Sequence, residues 1–196
     1  MDDAALVALA REGHDDATET LLARHENGAY TAALRLLGEP ADAEDVAQEA
    51  LVKAYLRIGD LAEDGNFGAW IRKIAVNLSL NVLRRRGLLR FEPLEPPARD
   101  GDDRGGDVVH VDDAPSPEDA AMNAHLRQEL ELLVRRLPPD QRVAVVLRDM
   151  YGYDVADVAA LQRCNLSAAK MRISRGRAQL RRLMTDARID AAGLQA

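Results

Sequence analysis

A segment near the middle of the chain, residues 91–119, limits what the sequence can fold into. It holds five of the eight prolines, and ten acidic residues stand against two basic ones. Proline interrupts helices and strands, and a run of like charges resists compaction, so this segment is poorly suited to build a core. We predict a flexible acidic linker at residues 91–117. It would join a domain at residues 1–90 to a second at residues 118–185, which a tail at residues 186–196 follows.

The regions on either side of the linker have the apolar periodicity of amphipathic helices. Apolar residues recur at three- and four-residue steps from Trp70 to Val82, and again from Val46 through Tyr55 to Ile58. Each row should therefore lie on one helix face and pack against a core. No segment shows a sustained strand alternation. The predicted fold class is all-α, with two small helical domains.

Glycine and capping residues set the predicted helix boundaries. Gly13 divides the first helical region, and a new helix is expected to begin at Asp42. The side chains of Asn66, Asp154 and Asn165 can each accept a hydrogen bond from a free amide in the first turn of a helix. We therefore expect three further helices to begin directly after these residues.

The positive charges of this acidic chain are concentrated in two stretches. The net charge is −7, yet six basic residues and no acidic ones lie between Trp70 and Arg90. Eight more lie between Arg163 and Arg188, against Asp186 alone, out of 26 in the whole chain. Such segregation is typical of surfaces that bind a polyanion. Two solvated helix faces are the alternative interpretation.

The second basic stretch has the pattern of a helix-turn-helix. A short helix, a turn at residues 162–165 and a basic helix follow one another, the arrangement that places side chains in a DNA major groove. Residues near the start of such a helix meet base edges, and later ones meet phosphates. The predicted base readers, which include an outward-pointing arginine, are Ser167, Ala168, Lys170, Met171 and Arg172. The predicted phosphate contacts are Arg175 and Arg177.

Motifs of catalysis and metal binding are missing from the sequence. The four histidines are scattered, and no phosphate-cradling glycine loop is present. The single Cys164 excludes an intramolecular disulfide and a multi-cysteine zinc site. We therefore expect neither enzymatic activity nor a metal or cofactor. The start Met1-Asp-Asp lacks the basic region of a secretion signal and no apolar run spans a bilayer, so no membrane insertion and a cytoplasmic location are expected.

Motifs in both halves carry a resemblance to a known family. In the first half they are residues 6–13, 33–49, which include Asp-Ala-Glu-Asp-Val-Ala-Gln-Glu, and 67–77, with Leu83-Arg-Arg-Arg86 closing the set. In the second half they are residues 137–142, residues 147–152 and the helix-turn-helix up to Leu183. Together, and in this order, these motifs resemble bacterial RNA polymerase sigma factors of the extracytoplasmic-function group.

The resemblance implies a role for each half. The surface that docks on the clamp helices of the polymerase β′ subunit would include Asp45, Gln48 and Glu49. The minus-ten promoter element would be contacted by Asp64, Asn66, Arg72, Lys73, Asn77, Asn81, Arg84 and Arg85. The helix-turn-helix would read the minus-thirty-five element beside the polymerase β flap. Partners implied are core RNA polymerase, promoter DNA and an anti-sigma protein.

Several residues depart from the family pattern around the helix-turn-helix. Arg163 stands where the turn usually has glycine, and Gln162 where an apolar residue is usual. Ala168 and Met171 replace the usual threonine and serine of the reading helix. If the turn requires a positive φ, Arg163 should be strained by about 1 kcal/mol.

Two other functions remain open from the residues alone. A self-sufficient DNA-binding regulator would use only the helix-turn-helix at residues 138–185. A protein-interaction module would clasp a partner between its two helical domains.

Overall fold

The computed structural model describes residues 1–62, 66–89, 126 and 128–187. Regular structure within these residues is entirely helical, which confirms the all-α prediction. The chain divides into two compact units, Met1–Arg86 and Gly87–Ala196. The predicted linker and residues 188–196 of the predicted tail lie outside the described residues, so the linker boundaries remain a prediction.

The first unit packs its helices around a core rich in alanine. They are α1 (Asp3–Arg11), α2 (Asp15–Leu37), α3 (Pro40–Leu56), a single 3-10 turn (Ile58–Asp60) and α4 (Phe67–Arg85). Larger side chains such as Leu21, Leu36 and Phe67 are almost fully buried between them. Completely buried alanines, among them Ala33 and Ala50, allow α2 and α3 to pack closely because they add little bulk.

Most of the predicted boundaries in this unit are confirmed. Gly13 separates α1 from α2 with a φ of 90°, and the amide of Ala69 donates to the side-chain oxygen of Asn66 at 2.9 Å. The predicted start of α3 at Asp42 was wrong, because the helix already begins at Pro40. Proline is favoured at a first helical position, since the amide it lacks would have no partner there.

The second unit is built around its longest helix. Its elements are α5 (helical residues 128–135), α6 (Pro139–Val145), a π-helical turn (Val146–Met150), α7 (Val155–Gln162) and α8 (Leu166–Asp186). α8 packs against α6 and α7, and Val143, Val158 and Ala169 of these three helices are buried.

None of the helices in the described parts of either unit combines the length and the apolarity needed to cross a membrane.

Candidate nucleic-acid interface

The turn between α7 and α8 is a tight left-handed connection. Arg163 has a φ of 50° and a ψ of 53° and is the one non-glycine residue with positive φ in the described chain. Cys164 turns inward and is 1% exposed. The side chain of Asn165 then accepts a hydrogen bond from the amide of Ala168 at 2.8 Å. This cap fixes where α8 begins.

The outer face of α8 presents a short row of exposed side chains. Ser167, Lys170, Met171 and Ser174 follow one another at three- and four-residue steps, and all four are exposed. Met171 is 48% exposed, which places an apolar thioether in the middle of a polar row. Arg175 flanks the row on one side, and Arg177 flanks it on the other, because each lies about a quarter turn away around the helix.

Two of the predicted base readers do not project outward. Ala168 and Arg172 are each only 6% exposed. Arg172 donates from Nη1 to Oε1 of Gln162 at 3.3 Å, and its Nε lies 3.8 Å from a carboxylate oxygen of Asp140. The expectation that Arg172 points to solvent was wrong, because two polar groups on neighbouring helices hold its guanidinium inside the unit.

A basic cleft runs along one side of the row. Its volume is about 410 Å³, and its lining includes four cationic side chains, Arg148, Lys170, Arg177 and Arg181, beside Ser174. Arg177 is paired with Asp149 of the π-helical turn through two of its nitrogens. This hydrogen bond raises the pKa of Arg177 above its usual value.

A second polar face lies along α4. Lys73, Asn77, Asn81 and Arg84 are spaced so that they share one side of the helix. Nη1 of Arg84 donates to the side-chain oxygen of Asn81 at 2.6 Å, and the adjacent Arg85 is exposed.

Three of the residues predicted to contact the minus-ten element are not part of the described polar face of α4. Arg72 is half-buried and lies about 140° around the helix from Asn77, so α4 does not present it on the same side. Asn66 is exposed before the first turn, with its side-chain oxygen already used as a cap. Asp64 lies outside the described residues.

Aromatic rings support the start of α4. Phe67 is 1% exposed and meets the half-buried Trp70 with ring centroids 5.7 Å apart. Phe67 also meets His25, with ring centroids 5.3 Å apart, and His25 is hydrogen-bonded to Asp3 at 2.6 Å. Burial raises the pKa of Asp3, but hydrogen bonds to His25 and Arg24 outweigh that effect and leave the pKa below its usual value.

A third exposed face lies on α3 and mixes polar with apolar residues. Asp45, Gln48 and Glu49, the predicted docking residues, are exposed. Along the same stripe follow three large apolar side chains with high exposure, Val52 (57%), Tyr55 (47%) and Leu56 (73%). We call these three residues the apolar stripe. The prediction that Tyr55 faces the core was wrong, because α3 buries mainly its alanine row.

An ion pair joins α3 to the end of α4. Arg86 donates to both carboxylate oxygens of Asp42, at 2.5 and 2.8 Å. The hydrogen bond from Arg86 lowers the pKa of Asp42. The pair connects the first turn of α3 to the residue that follows α4.

Comparison with known proteins identifies the family. The family description Sigma-70 region 2 matches residues 21–88, and Sigma-70 region 4 matches residues 127–180. The RNA polymerase sigma-H factor of Pseudomonas aeruginosa is 30% identical over 175 residues, which cover 89% of this chain and 90% of that protein. The chain belongs to the extracytoplasmic-function group of RNA polymerase sigma factors.

Other sigma factors are similar over much of the chain. The ECF RNA polymerase sigma factor SigE of Mycolicibacterium smegmatis is 34% identical over 163 residues. The matched region covers 83% of this chain and 60% of that protein's length. Among solved structures, CnrH in complex with the cytosolic domain of CnrY is 24% identical, covers 94% of this chain and 97% of that one, and has a TM-score of 0.51. At this identity the likeness concerns the fold alone.

Within this sigma factor, sequence reasoning missed three features of the interfaces. Ser174 completes the outer row of α8, and its three-residue step from Met171 was a usable signal. The continuation of the acidic row of α3 into Val52 and Leu56 was a second such signal. The burial of Arg172 left no local trace, because its partner Asp140 lies on another helix.

Metal coordination has no support in the described residues. Within them, no three His, Cys, Asp or Glu side chains converge as a metal site requires.

Proposed function

We propose that this sigma factor directs core RNA polymerase to promoters by using one DNA-contacting face on each of its two units. The observation that carries the proposal is that each unit has a helix face with basic side chains, in a chain whose net charge is −7. On α4 these are the half-buried Lys73 and Arg84 with the exposed Arg85, and on α8 they are exposed. Because the rest of the chain repels a polyanion, those two faces are where DNA can be held. The chain itself carries out no catalytic step and works in the cytoplasm with the polymerase.

The face of α8 is suited to reading the minus-thirty-five element. Ser167 and Lys170 supply polar groups near the start of a helix that can enter the major groove. The apolar Met171 next to Lys170 suits contact with a thymine methyl group. Arg175 and the basic cleft beside Arg177 are placed to hold the phosphate backbone on either side.

The face of α4 is suited to the minus-ten element. Asn77 and Asn81 offer amide groups that can hydrogen-bond to base edges of a separated strand, and Lys73 adds a charge for its backbone. The half-buried Trp70 on the same side offers a ring surface for an unstacked base. Arg84 and Arg85 extend this face toward the end of the helix, and Asp64 and Asn66 precede it.

The α3 face is suited to docking on the polymerase. Protein interfaces combine a desolvated apolar centre with a polar rim. The apolar stripe supplies such a centre, and Asp45, Gln48 and Glu49 supply charged and polar groups next to it. We assign this face to the β′ clamp helices and the second unit to the β flap.

An anti-sigma partner is proposed for the same α3 face. The apolar stripe is costly to expose to water, so a protein that binds it would compete directly with the polymerase. CnrH was solved together with the cytosolic domain of CnrY.

The test is run-off transcription by core polymerase on a pool of promoters whose two elements are randomised. We expect initiation only when the chain is added, and enrichment of two elements at a fixed spacing. If no promoter in the pool is rescued, the proposal is overturned. Tight, sequence-specific promoter binding without polymerase would instead establish a self-sufficient regulator.

Leu56 gives a sharper test of the docking face. We expect Leu56→Asp to weaken binding to core polymerase by at least about tenfold, since central apolar residues dominate interface energies. The measurement is competition with the unaltered chain for a limiting amount of core. Ala8→Asp is the control, because Ala8 is exposed on α1 of the same unit, outside the stripe. Equal weakening by both substitutions would contradict the assignment.

A further inference from the structure

Three polar side chains meet where α6, α7 and α8 come together in the second unit. The amide nitrogen of Gln162 donates to the backbone carbonyl of Asp140 at 2.7 Å, and its oxygen accepts from Arg172 at 3.3 Å. Gln162 is 0% exposed and Arg172 is 6% exposed. We infer that Gln162 and Arg172 are positioning residues that set the reading helix for the minus-thirty-five element, and that Arg172 itself contacts no base.

The cluster of Asp140, Gln162 and Arg172 connects three helices of the second unit. Asp140 lies in the first turn of α6, Gln162 is the last residue of α7, and Arg172 lies in the second turn of α8. Hydrogen bonds are directional and are costly to leave unmade when buried, whereas apolar contacts tolerate sliding. This cluster therefore fixes both the rotation and the axial position of α8 more narrowly than leucine packing does.

Exposed side chains of α8 move together with Arg172. Ser167, Met171 and Arg175 line a cleft of about 190 Å³ together with Arg172 and Asp140. A rotation of α8 that breaks the Arg172 contacts would carry all three side chains with it. Binding geometries must be held within about 0.5 Å, so such a rotation weakens every contact of the row at once.

Arg172 is not placed to contact a base directly. To reach a base edge, its guanidinium would have to leave both Gln162 and Asp140, and it would leave the oxygen of Gln162 buried without that donor. Lys170 and Arg175 are exposed on the same helix and need no such rearrangement. Base discrimination therefore falls to the exposed row.

The test compares three variants in the reconstituted holoenzyme, and it presupposes the minus-thirty-five role proposed for α8. These are Arg172→Ala, Gln162→Leu and the double variant, with Arg182→Ala as a control because Arg182 is exposed farther along α8. For each, initiation is measured against holoenzyme concentration, well below the unfolding temperature, on promoters with and without the minus-thirty-five element. Base preference is measured by selection from a pool randomised at that element.

We expect each single variant to raise the concentration of holoenzyme that gives half-maximal initiation by about tenfold on promoters with the element, as is typical for a buried hydrogen bond to a charged group. The maximal rate, the promoters without the element and the base preference should not change. The double variant should lose no more than the worse single variant, because both break one network.

Three results would overturn the inference. One is a changed base preference at a single position in Arg172→Ala but not in Gln162→Leu, which would make Arg172 a base reader. Another is additive losses in the double variant. The last is unchanged initiation in both single variants while only the unfolding temperature falls. Failure of the unaltered chain to initiate on any promoter would instead overturn the proposed function.

Discussion

Arg163 is a residue whose side chain and backbone conformation conflict. The turn before α8 requires positive φ, and at 50° a side chain with a Cβ crowds the following carbonyl. We expect Arg163→Gly to raise the free energy of unfolding by about 0.5 kcal/mol, because relief of about 1 kcal/mol of strain exceeds the added flexibility of the unfolded chain. Denaturant unfolding of the full chain measures this.

Arg163→Ala is the matched control for this substitution, since it removes the same charge and side chain but keeps the Cβ. It should not stabilise the chain. Equal stabilisation by alanine would show that the charge of Arg163, and not its backbone, is responsible.

Single residues were predictable when the reason for their conformation was local. The caps at Asn66, Asp154 and Asn165 each accept from an amide three residues ahead, so the sequence alone was sufficient to indicate them. Arg172 was not predictable in this way. Its partners Asp140 and Gln162 are 32 and 10 residues away, and an arginine is normally left outside when no partner is visible.

The approach of α8 to α6 depends on a missing side chain at Gly176. A Cβ built there would lie 2.6 Å from Cγ2 of Val145 and 3.1 Å from the carbonyl oxygen of Gln141. We expect Gly176→Ala to destabilise the chain by about 1–3 kcal/mol, the usual cost of overpacking, despite the better helix propensity of alanine. Thermal unfolding would show the loss as a lower midpoint.

Gly28→Ala is the control for Gly176→Ala. Gly28 lies inside α2, and a Cβ there would meet nothing within 4 Å. Alanine should therefore stabilise α2 by about 0.5–1 kcal/mol. If both substitutions stabilise the chain, the close contact of α6 with α8 is not a constraint in solution.

The helical type of the elements was predictable from the sequence more than their ends were. Glycines such as Gly13 end helices by backbone geometry alone, and this is visible in the sequence. The start of α3 was misplaced because Asp42 looks like a cap, while its carboxylate in fact pairs with Arg86, 44 residues away. Which face of α3 is buried was also misjudged at Tyr55, because the buried residues of α3 are four alanines and Val46.

At the scale of the whole first unit, the Asp42–Arg86 pair couples folding to pH. The pKa of Asp42 is lower in the folded chain than its ordinary value of about 3.9. The carboxylate therefore stabilises the fold fully above the unfolded pKa, and this contribution is lost as the pH falls through the folded pKa. We expect Asp42→Asn to be less stable than the unaltered chain at neutral pH, with the difference vanishing in acid.

Unfolding midpoints measured across that pH range would test the coupling. Arg86→Gln should reproduce the curve of Asp42→Asn, because either change removes the same pair. A difference between Asp42→Asn and the unaltered chain that persists unchanged in acid would contradict the assignment.

The apolar stripe of α3 also affects how strongly copies of the free chain attract one another in solution. The stripe exposes three apolar side chains, which favour association, to water. A net charge of −7 opposes association by electrostatic repulsion. Salt shortens the range of that repulsion but leaves the apolar attraction in place. We therefore expect higher ionic strength to favour contacts between copies of the free chain through the stripe that is proposed to dock on the polymerase.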